Sequence, residues 1–281
     1  MMETTHELGL WLKNFDDAAR RDRVWKLGLL TGLRGEDDGS FRPANFERGL
    51  ILDRIVELRK PRTVLELGTG RGLGAFAMAA AAREYGAEIG ISTVDLTPPN
   101  QPVDYAIEID GARKRLHASC AEIWKAHLDP GLAQRITPLT GFTTKILPEL
   151  ERSGRKFDLI FIDAGHDLFS VAHDLSYAAT LLAPGGAILM DDFAPLEEFG
   201  LATCIIYSHA LRLFESVEIF PTEGLVYGGA VHPDAPRGMI FLSGARFRNP
   251  RVRGMLFPFW RIAGAVLGLC YKTSLFPLDT R

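Results

Sequence analysis

The chain has 281 residues, of which 47% are hydrophobic and 24% are charged, the proportions of an ordinary globular protein. This length accommodates one large α/β domain with additional segments at its ends. The formal net charge of −3 provides no basic field and argues against a nucleic-acid partner. Three scattered cysteines without a CxxC pair, and an N-terminus without the pattern of a signal peptide, predict a cytoplasmic protein without a disulfide framework or a zinc site.

Hydrophobic periodicity predicts two helices before the first strand, over residues 5–31 and 45–58, with a polar, glycine-containing break at 35–40. Strand and helix signals then alternate, which predicts an α/β fold with a Rossmann-like, doubly wound parallel sheet. The predicted strands cover residues 63–67, 88–95, 136–140, 158–163 and 187–191, with later strands near 216–220 and 238–243. The predicted helices between them cover residues 73–84, 110–127, 143–152 and 168–182, with a further helix near 197–213.

The composition divides the chain into three segments: an N-terminal helical segment (1–44), the α/β domain (45–245) and a basic, apolar extension (246–281). In the extension, several arginines precede an apolar run that Arg261 interrupts, so the run is too short to span a membrane. A segment that lies on a membrane surface is one interpretation. Packing against the domain or against a second subunit is the other, and it is favoured because apolar stretches of soluble chains are usually buried.

The sequence VLELGTGRG at 64–72 combines a buried strand pattern with a glycine loop, and small residues at 74–82 predict a helix after it. A strand, a glycine loop and a helix in this order let the backbone approach an adenosine-containing cofactor closely. Glu66 lies at the end of the strand, where its carboxylate would repel the diphosphate of a dinucleotide. S-adenosylmethionine instead carries a sulfonium and an ammonium, so this acid favours it. We predict an S-adenosylmethionine site that includes Glu66, Gly68, Thr69, Gly70 and Gly72.

Other interpretations of the loop remain open. Gly70, Gly72 and Ala75 also fit the relaxed dinucleotide pattern G-x-G-x-x-A, which would suit an NAD(P)-dependent oxidoreductase. The glycines could also form a plain turn that lets a helix pack on a strand. A non-catalytic cofactor-binding module of the same fold is a further alternative, since a fold alone does not imply catalysis.

Ligands of open parallel sheets bind beyond the carboxyl ends of the strands, so the residues at those ends are candidates for the site. Asp95 ends the second strand, where it could bind vicinal ribose hydroxyls or, alternatively, cap a turn. The third strand leads into Gly141 and Phe142, where an aromatic ring and backbone groups could hold a base. The alternative for Phe142 is a core aromatic residue.

Three acids follow the fourth and fifth strands, namely Asp163, Asp191 and Asp192. Neighbouring strands lie about 4.8 Å apart, so these carboxylates would meet at one edge of the sheet and repel one another. A divalent cation with oxygen ligands, such as Mg²⁺, would relieve that repulsion. Capping of the following helices is the alternative role of one or two of these acids. His166 lies three residues after Asp163 and could serve as a base or be an ordinary loop histidine.

Together these motifs resemble the class I S-adenosylmethionine-dependent methyltransferases over residues 45–244. The segments that carry the resemblance are 66–72, Asp95, 157–163 and 182–192. The sequence IDAGH at 162–166, followed by Asp191-Asp192, is similar to a narrower group, the metal-dependent O-methyltransferases of the macrolide- and aminocoumarin-sugar type and the proteins labelled cephalosporin hydroxylase.

The resemblance implies a seven-stranded sheet whose last strand is antiparallel, and transfer of a methyl group to a hydroxyl of a small sugar or natural product. It implies Mg²⁺ bound by Asp163, Asp191 and Asp192, with His166 as the base, and a homo-oligomer. Asp163 is also assigned to the catalytic and cofactor-contacting residues. Catechol-type relatives carry Asp-Asn where this chain has Asp191-Asp192, which argues against a catechol acceptor.

Overall fold

The structure is a computed structural model that describes residues 18–35, 38–43, 46–194, 200–222 and 238–245. Its helices are α1 (Ala18–Thr31), α2 (Phe46–Arg59), α3 (Leu73–Glu84), α4 (Cys120–His127), α5 (Pro130–Ala133), α6 (Thr143–Arg152), α7 (Leu168–Leu181) and α8 (Leu201–Leu213). Its strands are β1 (Leu33–Gly35), β2 (Phe41–Pro43), β3 (Thr63–Leu67), β4 (Gly90–Asp95), β5 (Pro102–Ile109), β6 (Ala112–Ser119), β7 (Ile136–Thr140), β8 (Phe157–Ile162), β9 (Leu182–Phe193), β10 (Phe214–Pro221) and β11 (Gly238–Ala245).

Seven strands form the central sheet in the order β10-β11-β9-β8-β3-β4-β7. The strands from β9 to β7 pair in parallel, whereas β11 is antiparallel to both β9 and β10. The order reverses at β3, where the chain leaves first towards β4 and later returns to β8 on the other side. This confirms the predicted α/β fold with a mostly parallel, seven-stranded sheet and an antiparallel last strand.

Both faces of the sheet are covered, and β3 shows how the sequence achieves this. Its alternate residues point to opposite faces. Val64 belongs to the core under α2 and α3, whereas Leu65 and Leu67 belong to the core under α6, α7 and α8. All three side chains are fully buried. A central parallel strand is buried on both faces, so residues that point to either face are apolar and the sequence shows no alternation of apolar and polar residues.

One predicted helix is largely wrong. Residues 110–119, assigned to a helix over 110–127, instead form the turn and second strand of an antiparallel hairpin, β5–β6. Asp110 and Gly111 both have positive φ (51° and 74°), the conformation that a two-residue hairpin turn requires. The helix α4 begins only at Cys120, after a capping box between Ser119 and Glu122.

Two smaller differences concern strand ends and the N-terminal region. The strand β9 begins at Leu182, five residues earlier than predicted. Leu182 already pairs with Phe157 of β8, and the register between the two strands shifts before Ala187 pairs with Leu159. The predicted polar break at 35–40 overlaps the end of the short strand β1, which pairs with the short strand β2. Residues 5–17 of the first predicted helix lie outside the described residues.

The helix α1 is attached to the domain by a buried ionic network. The Arg20 guanidinium donates to Asp53 of α2 at 2.6 Å and to the Tyr85 hydroxyl at 2.7 Å, and it also pairs with Glu57. Arg23 donates to the second oxygen of Asp53 at 2.7 Å. This arrangement gives the buried Asp53 carboxylate two cationic partners, which a buried charge needs.

No helix within the described ranges is both long enough and apolar enough to cross a membrane. The extension 246–281, to which the sequence assigned a membrane surface or a packing role, lies outside these ranges.

Candidate active site

A cavity of about 1070 Å³ opens at the carboxyl ends of the central strands, at the point where the strand order reverses. Such switch points are where α/β sheets bind ligands. The short strand β1 and the start of α2 also line the cavity, through Arg34 and Arg48. The predicted site residues that line the cavity are Glu66, Gly68, Thr69, Gly70, Asp95, Gly141, Phe142, Asp163, His166 and Asp192. Gly72 and Asp191 are not among the lining residues.

The glycine loop needs its glycines for space. Gly68 has a φ of 92°, and a Cβ there would lie 1.9 Å from the carbonyl oxygen of Asp163. Gly72 has a φ of 103° and closely approaches the ring of Trp124, whose Nε1 donates to the Arg71 carbonyl at 2.9 Å. Gly70 differs, because its virtual Cβ meets nothing within 4 Å and faces open space. Two of the three glycines therefore permit packing, and Gly70 leaves room inside the cavity.

Asp95 organises the loop from the end of β4. One of its carboxylate oxygens accepts a hydrogen bond from the Gly70 amide at 2.8 Å, and the other accepts one from the Thr97 amide at 2.9 Å. The turn-capping role is thus present, and the same carboxylate also lines the cavity. An acid fixed in this way presents its remaining lone pairs to a polar ligand.

Phe142 is not a core residue. It is 59% exposed at the cavity wall, and Leu96 is 56% exposed beside the end of β4. Two large apolar side chains left open at a cavity are suited to covering the faces of a planar, apolar group. The sequence reasoning missed Leu96, although an apolar residue directly after the strand-end acid is a usable signal.

Glu66 lies at the floor of the cavity and is only 1% exposed. It accepts hydrogen bonds from the Thr93 hydroxyl at 2.5 Å and from the Ala75 amide in the first turn of α3. Burial raises its pKa to about 8, although these hydrogen bonds oppose the shift. The carboxyl is therefore mostly protonated, and so uncharged, at neutral pH. The electrostatic attraction for a cationic cofactor that the sequence predicts at Glu66 would require the cofactor to displace this proton.

The three acids predicted to bind a metal do come together. Asp163, Asp191 and Asp192 each offer a carboxylate oxygen, and these oxygens lie within 4.8 Å of one another. Burial is the largest cause that raises the pKa of Asp163 and of Asp191, and the neighbouring carboxylates raise it further. Three oxygen donors of this kind are the chemistry that Mg²⁺ prefers, so the set fits such an ion.

An arginine that the sequence reasoning missed already lies among these acids. Arg48 of α2 forms ion pairs with Asp163 through one terminal nitrogen and with Asp191 through the other. The three side chains are only 11–13% exposed. Burial disfavours the charge of Arg48, but the two acids more than offset this and raise its pKa. Arg48 is 115 residues from Asp163 along the chain and belongs to no recognisable motif, so only the fold reveals the contact.

His166 pairs with the third acid. Its Nδ1 lies 2.7 Å from Oδ2 of Asp192, and this hydrogen bond is the main cause that raises the histidine pKa. Asp192 has a φ of 62°, an uncommon conformation for a residue other than glycine. The histidine side chain is 53% exposed and lines the cavity. The imidazole is therefore oriented by Asp192 and accessible to a ligand.

Comparisons with known proteins agree with this arrangement. Residues 65–193 match a family described as "Methyltransferase domain". The catechol O-methyltransferase of Sus scrofa is 26% identical over 201 residues, which cover 68% of this chain and 95% of that protein.

Solved structures show the same fold. The O-methyltransferase from Bacillus cereus in complex with SAH has a TM-score of 0.51 and 17% identity, over 86% of this chain and 100% of that chain. The SAH-bound methyltransferase PaMTH1 of Podospora anserina has a TM-score of 0.51 and 18% identity, over 86% and 95%. The family match and the shared fold confirm that this chain resembles the class I S-adenosylmethionine-dependent methyltransferases, with O-methyltransferases among its relatives.

Proposed function

We propose that this chain transfers a methyl group from S-adenosylmethionine to a hydroxyl oxygen of a small sugar or natural product. One observation carries the proposal: Gly68–Gly70 of the glycine loop, two of the three acids (Asp163 and Asp192) and His166 line a single cavity at the switch point of the sheet. A donor on the loop and an acceptor beside the acids would therefore lie next to each other. The predicted homo-oligomer and the cytoplasmic location stay predictions.

The cofactor part of the proposal is supported by the wall that Gly70, Asp95 and Phe142 form. Asp95 is fixed by two backbone amides and has lone pairs left for vicinal ribose hydroxyls. Phe142 and Leu96 are exposed where a base would need apolar cover. Gly141 has a φ of 149° and lets the backbone turn beside Phe142. Gly68, Thr69 and Gly72 shape the loop, which would hold the methionine part of the cofactor.

The acceptor part rests on the acid cluster and His166. Asp163, Asp191 and Asp192 would hold Mg²⁺, which when bound lowers the pKa of a hydroxyl beside it. His166, held by Asp192, then accepts the hydroxyl proton in its neutral form. The cavity walls would have to align this oxygen with the methyl carbon. Charge is neutralised as the methyl group moves, so alignment is the main contribution that the protein must supply.

The test is methyl transfer from labelled S-adenosylmethionine to a panel of sugars, polyols and phenols, using the full chain. We expect methyl ether formation with Mg²⁺ and none in saturating chelator, while calorimetry shows that S-adenosylhomocysteine still binds. Asp191→Ala should have the effect of the chelator, because it removes one of the three carboxylates. The matched control is Glu149→Ala, which removes an exposed acid of α6.

Full turnover in saturating chelator would remove the metal from the mechanism while keeping the methyl transfer. Cofactor binding without transfer to any acceptor would instead favour the non-catalytic module.

A further inference from the structure

We propose that Arg48 is a built-in cation that competes with a divalent metal for Asp163 and Asp191, so that metal binding requires the guanidinium to leave the acid cluster. This inference rests on the proposed function, since it concerns the same three acids. It adds a residue from α2, far from the recognisable motifs, to the control of that site.

The contacts of Arg48 show the competition directly. Its two terminal nitrogens each hold one carboxylate oxygen, from Asp163 of the β8 end and from Asp191 of β9. A guanidinium fork of this kind spans two acids as a single ammonium cannot. It therefore supplies positive charge to two of the three carboxylates that a metal would bind.

The two terminal nitrogens of Arg48 form ion pairs, whereas the rest of its guanidinium makes few polar contacts within the described part of the chain. Its Nε is buried and has no hydrogen-bond partner within the described part of the chain. The ring of Phe161 lies 5.8 Å from its central carbon, which gives a weak cation–π contact. The buried Arg20 offers a contrast, because it donates to Asp53, Glu57 and Tyr85. Among the described residues, the acids therefore provide the ion pairs that hold Arg48 in place.

Charge and space both favour an exchange. A metal and Arg48 would compete for the same carboxylate charge of Asp163 and Asp191, and they would repel each other in a nearly buried volume, where repulsion is weakly screened. Arg48 also lines the cavity, so its long side chain has open space into which it can move. Departure of the guanidinium relieves the repulsion and leaves the acids to the metal.

The experiment measures Mn²⁺ affinity of the full chain without cofactor, by calorimetry and by the electron paramagnetic resonance of free Mn²⁺. Arg48→Met should bind Mn²⁺ roughly tenfold or more tightly than the wild type, because one nearby positive charge is gone. Arg48→Lys keeps a charge and so protects the fold. It should also bind more tightly, by a smaller factor, because an ammonium cannot bridge both acids.

The matched control is Arg54→Met. Arg54 lies six residues further along the same helix and pairs with Glu57 rather than with the cluster, so its variant should bind Mn²⁺ like the wild type. Unchanged or weaker binding in both Arg48 variants would overturn the inference and assign Arg48 to orienting the acids. No Mn²⁺ binding in any of the proteins would overturn it as well.

Failure of the proposed function would look different. Tighter Mn²⁺ binding in the Arg48 variants of a chain that transfers no methyl group would leave the competition standing and remove only the activity.

Discussion

At the scale of single residues, the buried carboxyl of Glu66 connects the stability of the fold with the chemistry of the loop. A group whose pKa is higher in the folded chain than in the unfolded chain stabilises the fold while both states are protonated. The ordinary pKa of Glu66 is 4.5 and its folded value is about 8. As the pH rises between these values, the unfolded chain loses this proton while the folded chain keeps it, so the free energy of unfolding falls.

Glu66→Gln should therefore flatten the pH dependence of stability. Glutamine has nearly the same shape and cannot ionise. The substitution therefore removes the contribution of Glu66 to the slope of the free energy of unfolding, which is up to about 1.4 kcal/mol per pH unit. Urea unfolding at several pH values between 5 and 8 measures the slope, and Glu149→Gln serves as the exposed control. An identical slope in wild type and Glu66→Gln would show that Glu66 does not retain its proton in the fold.

The sequence predicts strand-end acids well and their partners poorly. Asp163 and Asp192 could be placed at one edge of the sheet because parallel strands end together. Arg48 could not, since its helix lies before the first strand of the sheet and only its packing against β8 and β9 brings the guanidinium to the acids. The residues were predictable, but the charge balance of the site was not.

At the scale of elements, the side chain of Arg71 connects the glycine loop with two antiparallel strand pairs, β1–β2 and β5–β6. Its guanidinium donates to the carbonyl of Leu33 in β1 and to that of Asp104 in β5, the latter at 3.0 Å. It also lies over the ring of Tyr105 at 4.8 Å. A single loop side chain thus holds the β1 and β5 strands against the region where the cofactor is proposed to bind.

Arg71→Met should loosen these hairpins while leaving the central sheet intact. Loss of two hydrogen bonds from a charged donor and of one ring contact costs on the order of 2 kcal/mol. Amide hydrogen exchange in β1 and β5 should then accelerate by roughly tenfold or more, with β3 and β8 unaffected. Lys114→Met, which removes an exposed cation of the β5–β6 hairpin, is the control. Unchanged exchange in β1 and β5 would mean that other contacts hold the hairpins.

The β5–β6 hairpin also shows where local patterns mislead. Arg113, Lys114 and Arg115 are strong helix formers, and they follow a segment whose strand character went unrecognised. The Asp110-Gly111 turn and the burial of Tyr105 and Ala106 override that propensity. Hydrophobic periodicity was sufficient to find the central strands and the helices that cover them, because these elements have cores on both faces of the sheet.

At the scale of the whole molecule, the proposed activity requires that the methyl donor bind in the cavity where the strand order reverses. The sheet order and the glycine loop agree on this place. Gly70 allows this cavity to be probed by mutation. Its φ is 52°, and a Cβ added at this position would meet no protein atom within 4 Å. Gly154, with a φ of 72° and equally open surroundings, lies after α6 and does not line the cavity. Alanine at either position carries the same kind of backbone strain, and only the first reduces the space inside the cavity.

The most direct measurement is a calorimetric titration of the full chain, Gly70→Ala and Gly154→Ala with S-adenosylhomocysteine, and of the wild type with NAD⁺. We expect one S-adenosylhomocysteine site in the wild type and in Gly154→Ala, clearly weaker binding in Gly70→Ala, and no heat from NAD⁺. Binding of NAD⁺ without binding of S-adenosylhomocysteine, or equal affinity in both alanine variants, would contradict the assignment of this cavity to the methyl donor.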